Sequence, residues 1–215
     1  MRLALSADAL RHDPRPRWVL AGAALDLDFE AGRYWAGSSL NGPEDLPGWT
    51  AGAPLINGDG LVCNGATAWR AALPAWVRSP DEGLTIRADV TETPGAQGVG
   101  YLVILHGGSL ADRIAMLTTR AAVSTRVTRD GSETFTTAAA VNTYARYSAI
   151  LGVKTGEGSL AVTGGSAAAG TPVAPPYLGL FEIGSFNASL PLNGVIHRLT
   201  LWHGRLSDSL VGSLL

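Results

Sequence analysis

The stretch Tyr177–Leu215 reads YLGLFEIGSFNASLPLNGVIHRLTLWHGRLSDSLVGSLL. Tyr177–Ile183 is short and apolar, and Gly194–Trp202 alternates, so both predict strands, with the second closing a sheet. By simple alternation His197 falls on the face of Val195, Leu199 and Leu201, and it is expected there as a hydrogen-bonded core residue. Ser207 then offers a hydroxyl to an orphan N–H of a first helical turn. Leu206 and Val211 have the spacing of a hydrophobic staple. A short helix is expected over Ser207–Leu215, packing through Leu210, Val211, Leu214 and Leu215.

Upstream the same period of two continues. Leu84, Ile86, Ala88 and Val90 alternate with Thr85, Arg87, Asp89 and Thr91. Tyr101–Leu105 is continuously apolar, as in a strand buried on both faces. Arg113–Thr119, Val123–Thr128, Phe135–Ala140, Arg146–Lys154 and Ser159–Thr163 follow. The Asp130-Gly131 pair marks a tight hairpin between two of them. Strands at this spacing, with 27 glycines spread along 215 residues, predict an all-β antiparallel sandwich over 83–215. Nearer the N-terminus, Leu25, Leu27 and Phe29 alternate with Asp26 and Asp28 in a half-buried strand. Residues 1–22 carry Pro14 and Pro16 and read as an arm. Residues 33–80 are rich in Trp, Gly and Pro and read as an irregular docking segment within a domain spanning 23–215.

The C-terminal stretch resembles the closing signature of concanavalin A-like (laminin-G-like) jelly rolls. Ile183-Gly184 ends one strand, and Asn193-Gly194-x-Ile196 makes a turn. Leu199, Leu201 and Trp202 lie on an apolar strand, and Arg205–Asp208 opens the helix. Leu25–Phe29 with Arg33-Tyr34-Trp35, and the turn Gly58–Leu61, are similar to segments of such domains in bacteriophage tail and tail-fibre proteins. The resemblance covers residues 23–35 and 83–215. It departs at 156–170, where the family's Asn-Gly hairpin is replaced by Gly-Glu-Gly-Ser-Leu-Ala-Val-Thr-Gly-Gly.

Composition narrows the function classes. The net charge of −2 makes no electrostatic case for nucleic acid or an anionic membrane. No run approaches the length of a membrane-spanning helix, and Met1–Leu10 lacks the apolar core of a secretory signal. Cys63 is the single cysteine, expected to be buried and inert. The four histidines have no zinc spacing, and no phosphate loop, Gly-x-Ser-x-Gly or dinucleotide fingerprint is present.

Two groups of residues carry possible chemistry. Asp26, Asp28 and Glu30 fall at i, i+2 and i+4, on one strand face. The set is open to three readings: a solvated or subunit-facing edge, a calcium ion held by several oxygens, or paired glycosidase acids. The Glu-x-Asp-x-x-Glu spacing of jelly-roll glucanases is absent. Trp35, Trp49, Trp69 and Trp76 offer flat faces for stacking on sugars, or else seal core and subunit contacts.

The resemblance implies a non-catalytic virion protein of a bacteriophage, in the tail, fibre or capsid surface. Such a protein would dock to other virion proteins through its arm and Trp-rich segment, form a homo-oligomer such as a trimer, and face host polysaccharide. No cofactor is expected beyond the calcium option. The rivals are a stand-alone carbohydrate-binding module and a glycoside hydrolase.

Overall fold

The computed structural model describes residues 15–51, 55–64, 69–77, 82–93, 98–119, 121–142, 145–165, 168–172, 174–187 and 189–215, without the side chains of Ala51, Leu55 and Trp76. Among them the strands run in chain order as follows: β1 Leu25–Asp28, β2 Arg33–Trp35, β3 Ser39–Leu40, β4 Thr50–Ala51, β5 Leu55–Asn57, β6 Gly60–Asn64, β7 Trp69–Ala72, β8 Leu84–Glu92, β9 Gly100–His106, β10 Arg113–Thr119, β11 Ala122–Arg129, β12 Ser132–Ala140, β13 Tyr147–Lys154, β14 Glu157–Val162, β15 Ala168–Gly170, β16 Leu180–Ile183 and β17 Asn193–His203. Two antiparallel sheets result. The ten-stranded sheet runs β15-β14-β13-β8-β17-β1-β2-β3, with β6 beside β17 and β5 beside β6; the seven-stranded sheet runs β12-β11-β10-β9-β16-β7-β4.

The sandwich core follows from strand alternation. Leu84, Ile86, Ala88 and Val90 of β8 face Val103, Leu105, Ile114, Met116, Phe181 and Ile183 from the other sheet, in one buried cluster. Burying each large aliphatic side chain contributes about 1.5–3 kcal/mol, so this layer dominates folding.

β17 is the longest strand and lies at the centre of its sheet. One edge pairs with β8; the other pairs first with β6 through Asn193–Ile196 and then with β1 through Arg198–Leu201. The changeover falls at His197, where the register shifts between Ile196 and Arg198. That bulge corrects the expected alternation. Ile196, Leu199 and Leu201 belong to the core cluster, while His197 sits out of phase with them. It is buried and hydrogen-bonded, as expected, but to the junction: Nδ1 lies 2.7 Å from the Asp59 carbonyl and Nε2 lies 2.9 Å from Thr91 Oγ1. A carbonyl can only accept, so Nδ1 carries the proton and Nε2 accepts from the threonine. The His197 carbonyl in turn receives the N–H groups of Phe29 and Glu30.

Asn193-Gly194 does not form the expected turn, since both residues are in β17. Gly194 serves close approach instead: a Cβ there would lie 2.4 Å from the Thr91 carbonyl oxygen. The Asp130-Gly131 hairpin is as read, with φ of 50° and 77°. Residues 33–61 are more regular than expected, containing β2, β3, β4, β5, part of β6 and a 3-10 turn over Pro43–Asp45.

Two pieces cover the outer face of the ten-stranded sheet. Residues 15–22 of the expected arm lie against it, through Trp18, Val19 and Leu20 beside Trp35 and Trp202; residues 1–14 lie outside those described. Helix α1, Asp208–Leu214, is capped by Ser207, whose Oγ accepts from Leu210 N. Only Val211 and Leu214 of the expected apolar stripe pack against Ile150 and Ala161, with Leu206 alongside. Leu210 and Leu215 are exposed, because a helix this short presents just one i, i+3 pair to the sheet.

Candidate functional site

The three acids singled out by the sequence do not converge on a common ligand position. The residues that precede β1 fold over its outer face, so Asp26 is 0% exposed and the strand is buried on both sides, not half-buried. Asp26 Oδ1 accepts from Arg198 Nε and Thr200 Oγ1, and its Oδ2 accepts from Leu20 N and Arg198 Nη2. These four bonds occupy the lone pairs a cation would need. Asp28 pairs with Arg33 at 2.7 Å and accepts from Ala31 N. Glu30 lies beyond the strand end, in a turn, and pairs with Arg146 at 2.9 Å. No group of three or more His, Cys, Asp or Glu placed to hold a metal ion occurs among the described residues.

Arg198, which binds Asp26, also donates to the Trp18 carbonyl. Burial alone would make this guanidinium easier to deprotonate. The bond to Asp26 and the charges of Asp26, Asp28 and Asp89 outweigh that and hold its pKa above the ordinary arginine value. Asp26 and Arg198 therefore fasten the N-terminal segment to the sheet.

The tryptophans divide similarly. Trp35 is buried against Trp202. Trp69 is buried in the core, with the half-buried Trp49 packed on it at a ring-centroid distance of 4.6 Å. Trp76 falls in a 3-10 turn, Ala75–Val77, and its side chain lies outside the described residues. Cys63 is buried, and burial pushes its thiol up to about 12, which suits an inert side chain.

A different surface carries concentrated chemistry: the outer face of the seven-stranded sheet. Phe181 and Ile183 point into the core, so Glu182 between them points out; Arg70, between Trp69 and Ala71, does the same. The two are register partners. Glu182 is 0% exposed, yet it is fully engaged. Its Oε1 accepts from Arg70 Nε at 2.9 Å and Nη2 at 2.5 Å, and from His106 Nε2 at 3.1 Å; its Oε2 accepts from Asn187 N at 2.9 Å. The Gly108 N–H donates to His106 Nδ1, so the histidine proton resides on Nε2 and points at Glu182. Burial pushes the Glu182 carboxyl up, but the bonds from His106, Asn187 and Arg70 prevail and hold it below the ordinary glutamate value.

This network also seats the loop Gly184–Leu192 on the sheet. Arg70 Nη2 donates to Asn187 Oδ1, and Asn187 takes a left-handed φ of 46° at a tight turn between Phe186 and Ser189. Phe186 lies edge-on to His106 at 5.0 Å and packs with Tyr101, Ile104, Ala115 and Leu117. The centre of the face is thereby preorganised, and its rim stays open. Tyr177 stands at that rim with 64% exposure, beside Leu178, which is in the core. Its carbonyl and the Asp112 side chain flank Gly107, which follows His106. Arg113, the register partner of His106, completes this end. Glu182 and His106 are closed off, so among the described residues a polar ligand could meet only Arg70 and Asn187 of this network, with the exposed Tyr177 at the rim.

The sequence reading missed Arg70, His106, Arg113, Tyr177 and Glu182. A signal was available: Glu182 stands alone within Leu-Phe-Glu-Ile, and His106 ends a wholly apolar strand. A single ionisable group in such a run is costly unless paired.

No family model matches this chain, and no curated protein matches it. Solved structures share its fold. The CBM40 of the Ruminococcus gnavus IT-sialidase, solved with α2,3-sialyllactose, aligns at a TM-score of 0.55 and 16% identity over 65% of this chain and 85% of that one. The binding domain of botulinum neurotoxin DC, in complex with SialylT, aligns at a TM-score of 0.61 and 7% identity over 90% of this chain and 50% of that one. The Trypanosoma rangeli sialidase with sialic acid aligns at 0.62 and 16% over 90% of this chain but 32% of its own. At these identities the likeness carries the lectin-type sandwich fold and nothing finer.

Proposed function

We propose that this chain is a non-catalytic carbohydrate-binding module whose glycan lies on the outer face of the seven-stranded sheet. One observation carries the reading: Tyr177 is exposed, with its carbonyl against Gly107 next to His106, while Glu182 holds Arg70 and Asn187 fixed at the solvent side of the same sheet. Sugars are held by aromatic stacking and by hydrogen bonds from groups that need no rearrangement. Solved structures of this fold with sialylated sugars support the reading. Non-catalysis is supported by Glu182, the central carboxylate of this face, which is fully bonded and faces no second free acid among the described residues, whereas most glycosidases use a pair of acids.

The test is a glycan array followed by calorimetry with wild type and Tyr177→Ala. Binding that weakens about tenfold in the variant, in line with a lost aromatic contact of order 1 kcal/mol, supports the reading. An array with no hit would overturn it, and turnover on a polysaccharide panel would overturn its non-catalytic part. The virion setting, with assembly into a homo-oligomer, rests on the sequence resemblance alone. Mass spectrometry of purified particles tests it independently of glycan binding.

A further inference from the structure

We propose that a narrow cleft at one end of the sandwich, between its two sheets, receives a primary ammonium group carried on an aliphatic stem, such as the end of a lysine side chain. The carboxylate of Glu92 is its polar wall. Leu84, Ile86, Ala88 and Val90 form the inward row of β8, and Glu92 continues that row to the strand end. In the opposite sheet Thr118 extends the inward row of Ile114 and Met116 on β10. Tyr147 begins the inward row of β13. Three strands thus bring three polar side chains together where the hydrophobic core stops. The cleft lies between the sheets and not on the outer face assigned to the glycan, so it stands or falls independently of glycan binding.

The fold uses only one oxygen of Glu92. Oε1 accepts from the Thr118 hydroxyl and, at 2.8 Å, from the Tyr147 hydroxyl. Both donors are buried. Burial and the neighbouring carboxylate push the Tyr147 pKa up, so its hydroxyl keeps its proton and donates. Oε2 has no hydrogen-bond partner among the described residues, yet it is not one of their buried unpaired atoms, so solvent reaches it. Glu92 itself is partly buried and lines the cleft. It makes no ion pair among the described residues. A carboxylate drawn out of water without a cation is held at a cost, so a cation is what this position lacks.

Shape selects among cations. The cleft has a volume of about 30 Å³, close to the share of one water molecule in the liquid. An ammonium head fits this space and a sugar ring does not. Val99 and Leu192 line it with apolar surface, and Val99 is 40% exposed, which gives an aliphatic stem a place to lie. Gly100 keeps the walls close: a Cβ there would lie 3.0 Å from Leu192 Cα. A guanidinium is best matched by both oxygens of a carboxylate, whereas an ammonium is a compact point charge suited to the single open Oε2. Glu92 is the only carboxylate lining the cleft among the described residues, while calcium takes several oxygens.

Amide NMR spectra of the full chain, titrated at constant ionic strength with n-butylammonium, n-butanol and calcium, test this. The amides of Val99, Gly100 and Asn193 are expected to shift with n-butylammonium, at an affinity more than about tenfold above that of n-butanol, the range of one charge-assisted bond. Glu92→Gln still offers an oxygen to Thr118 and Tyr147 but replaces the open oxygen with a donor, and should remove that advantage. Val99→Ser should weaken n-butylammonium about threefold and leave methylammonium unchanged. Acetyl-Gly-Lys-Gly-amide should bind more tightly than its Nε-acetylated form, and glucosamine should not compete with it. Equal affinity for n-butylammonium and n-butanol in wild type, or no shift at all, would overturn the proposal without recourse to any variant. So would a Glu92→Gln chain that binds n-butylammonium as wild type does. Calcium moving the same amides at lower concentration, or glucosamine displacing the lysine peptide, would overturn the assignment to an aliphatic ammonium.

Discussion

The two outer faces of this sandwich are both rich in charge, yet they are built for different ends. On the ten-stranded sheet, Ser148, Asp89, Arg198, Asp28 and Arg33 form a row across five strands, with Arg87, Thr200 and Asp26 in the next row. Arginine and aspartate are matched throughout: Arg87 with Asp89 at 2.8 Å, Arg198 with Asp26 and Arg33 with Asp28. The N-terminal segment then covers part of the lattice. On the seven-stranded sheet the central network is also matched, but Arg113 is left over and Tyr177 is exposed. Density of charge therefore does not mark a binding surface here. What distinguishes the second face is Arg113, a cation that meets no anion among the described residues.

That contrast can be broken most directly at Asp26. Asp26→Ala strands the half-buried Arg198 and should cost about 3–5 kcal/mol, as removing one partner of a buried pair does. Urea unfolding measures it, and glycan affinity of the folded fraction should stay unchanged. Lost binding with intact stability would move the ligand to the ten-stranded sheet.

Trp69→Ala should fall in a similar range, about 3–5 kcal/mol, because it empties a core position. Glycan affinity should again hold, since the ring is buried and not offered to a ligand.

Glu182→Gln is the intermediate case, at about 1.5–3 kcal/mol for bonds to a charged group. It should also release the loop, seen as faster amide exchange over 184–192. The sign of its pH dependence follows from the lowered folded pKa. The contribution is present above the unfolded glutamate value of about 4.3 and is lost as pH falls through the lower folded value. Acid unfolding curves of wild type should show this segment, and Glu182→Gln should flatten it.

Smallest is Tyr177→Ala. Its side chain is mostly in solvent, so stability should change by no more than about 0.5 kcal/mol while glycan affinity drops. Calcium makes a matching control on the other face. With the oxygens of Asp26 occupied, calcium in place of a chelator should move the melting temperature by less than about 1 °C, because a stabilising shift requires binding to the folded state. A rise of several degrees would return Asp28 and Glu30 to consideration as ligands.

The strands were legible because burial on a pleated surface imposes a period of two. Residues 113–119, 84–92 and 193–203 form strands close to where alternation placed them, and Ser207 caps the final helix as its hydroxyl chemistry suggested. Alternation misled at His197, where one bulged residue changes the phase, and the resemblance misled at Asn193-Gly194, where the glycine answers a neighbouring carbonyl and not a turn. The candidate site was the least legible part. Arg70, His106, Arg113 and the pair Tyr177 and Glu182 come from four separate segments, brought to one face only through the order β10-β9-β16-β7.

By itself, then, the chain's local pattern determined the all-β class, most strand positions, the tight Asp130-Gly131 turn and the capped helix, since each depends on neighbours a few residues apart. Tertiary structure alone decided which charges are matched. Asp26 meets Arg198 across 172 residues, and Arg113 meets no anion at all among the described residues. Pairing energy depends on distance in space and on burial, neither of which is a property of a residue's place in the sequence.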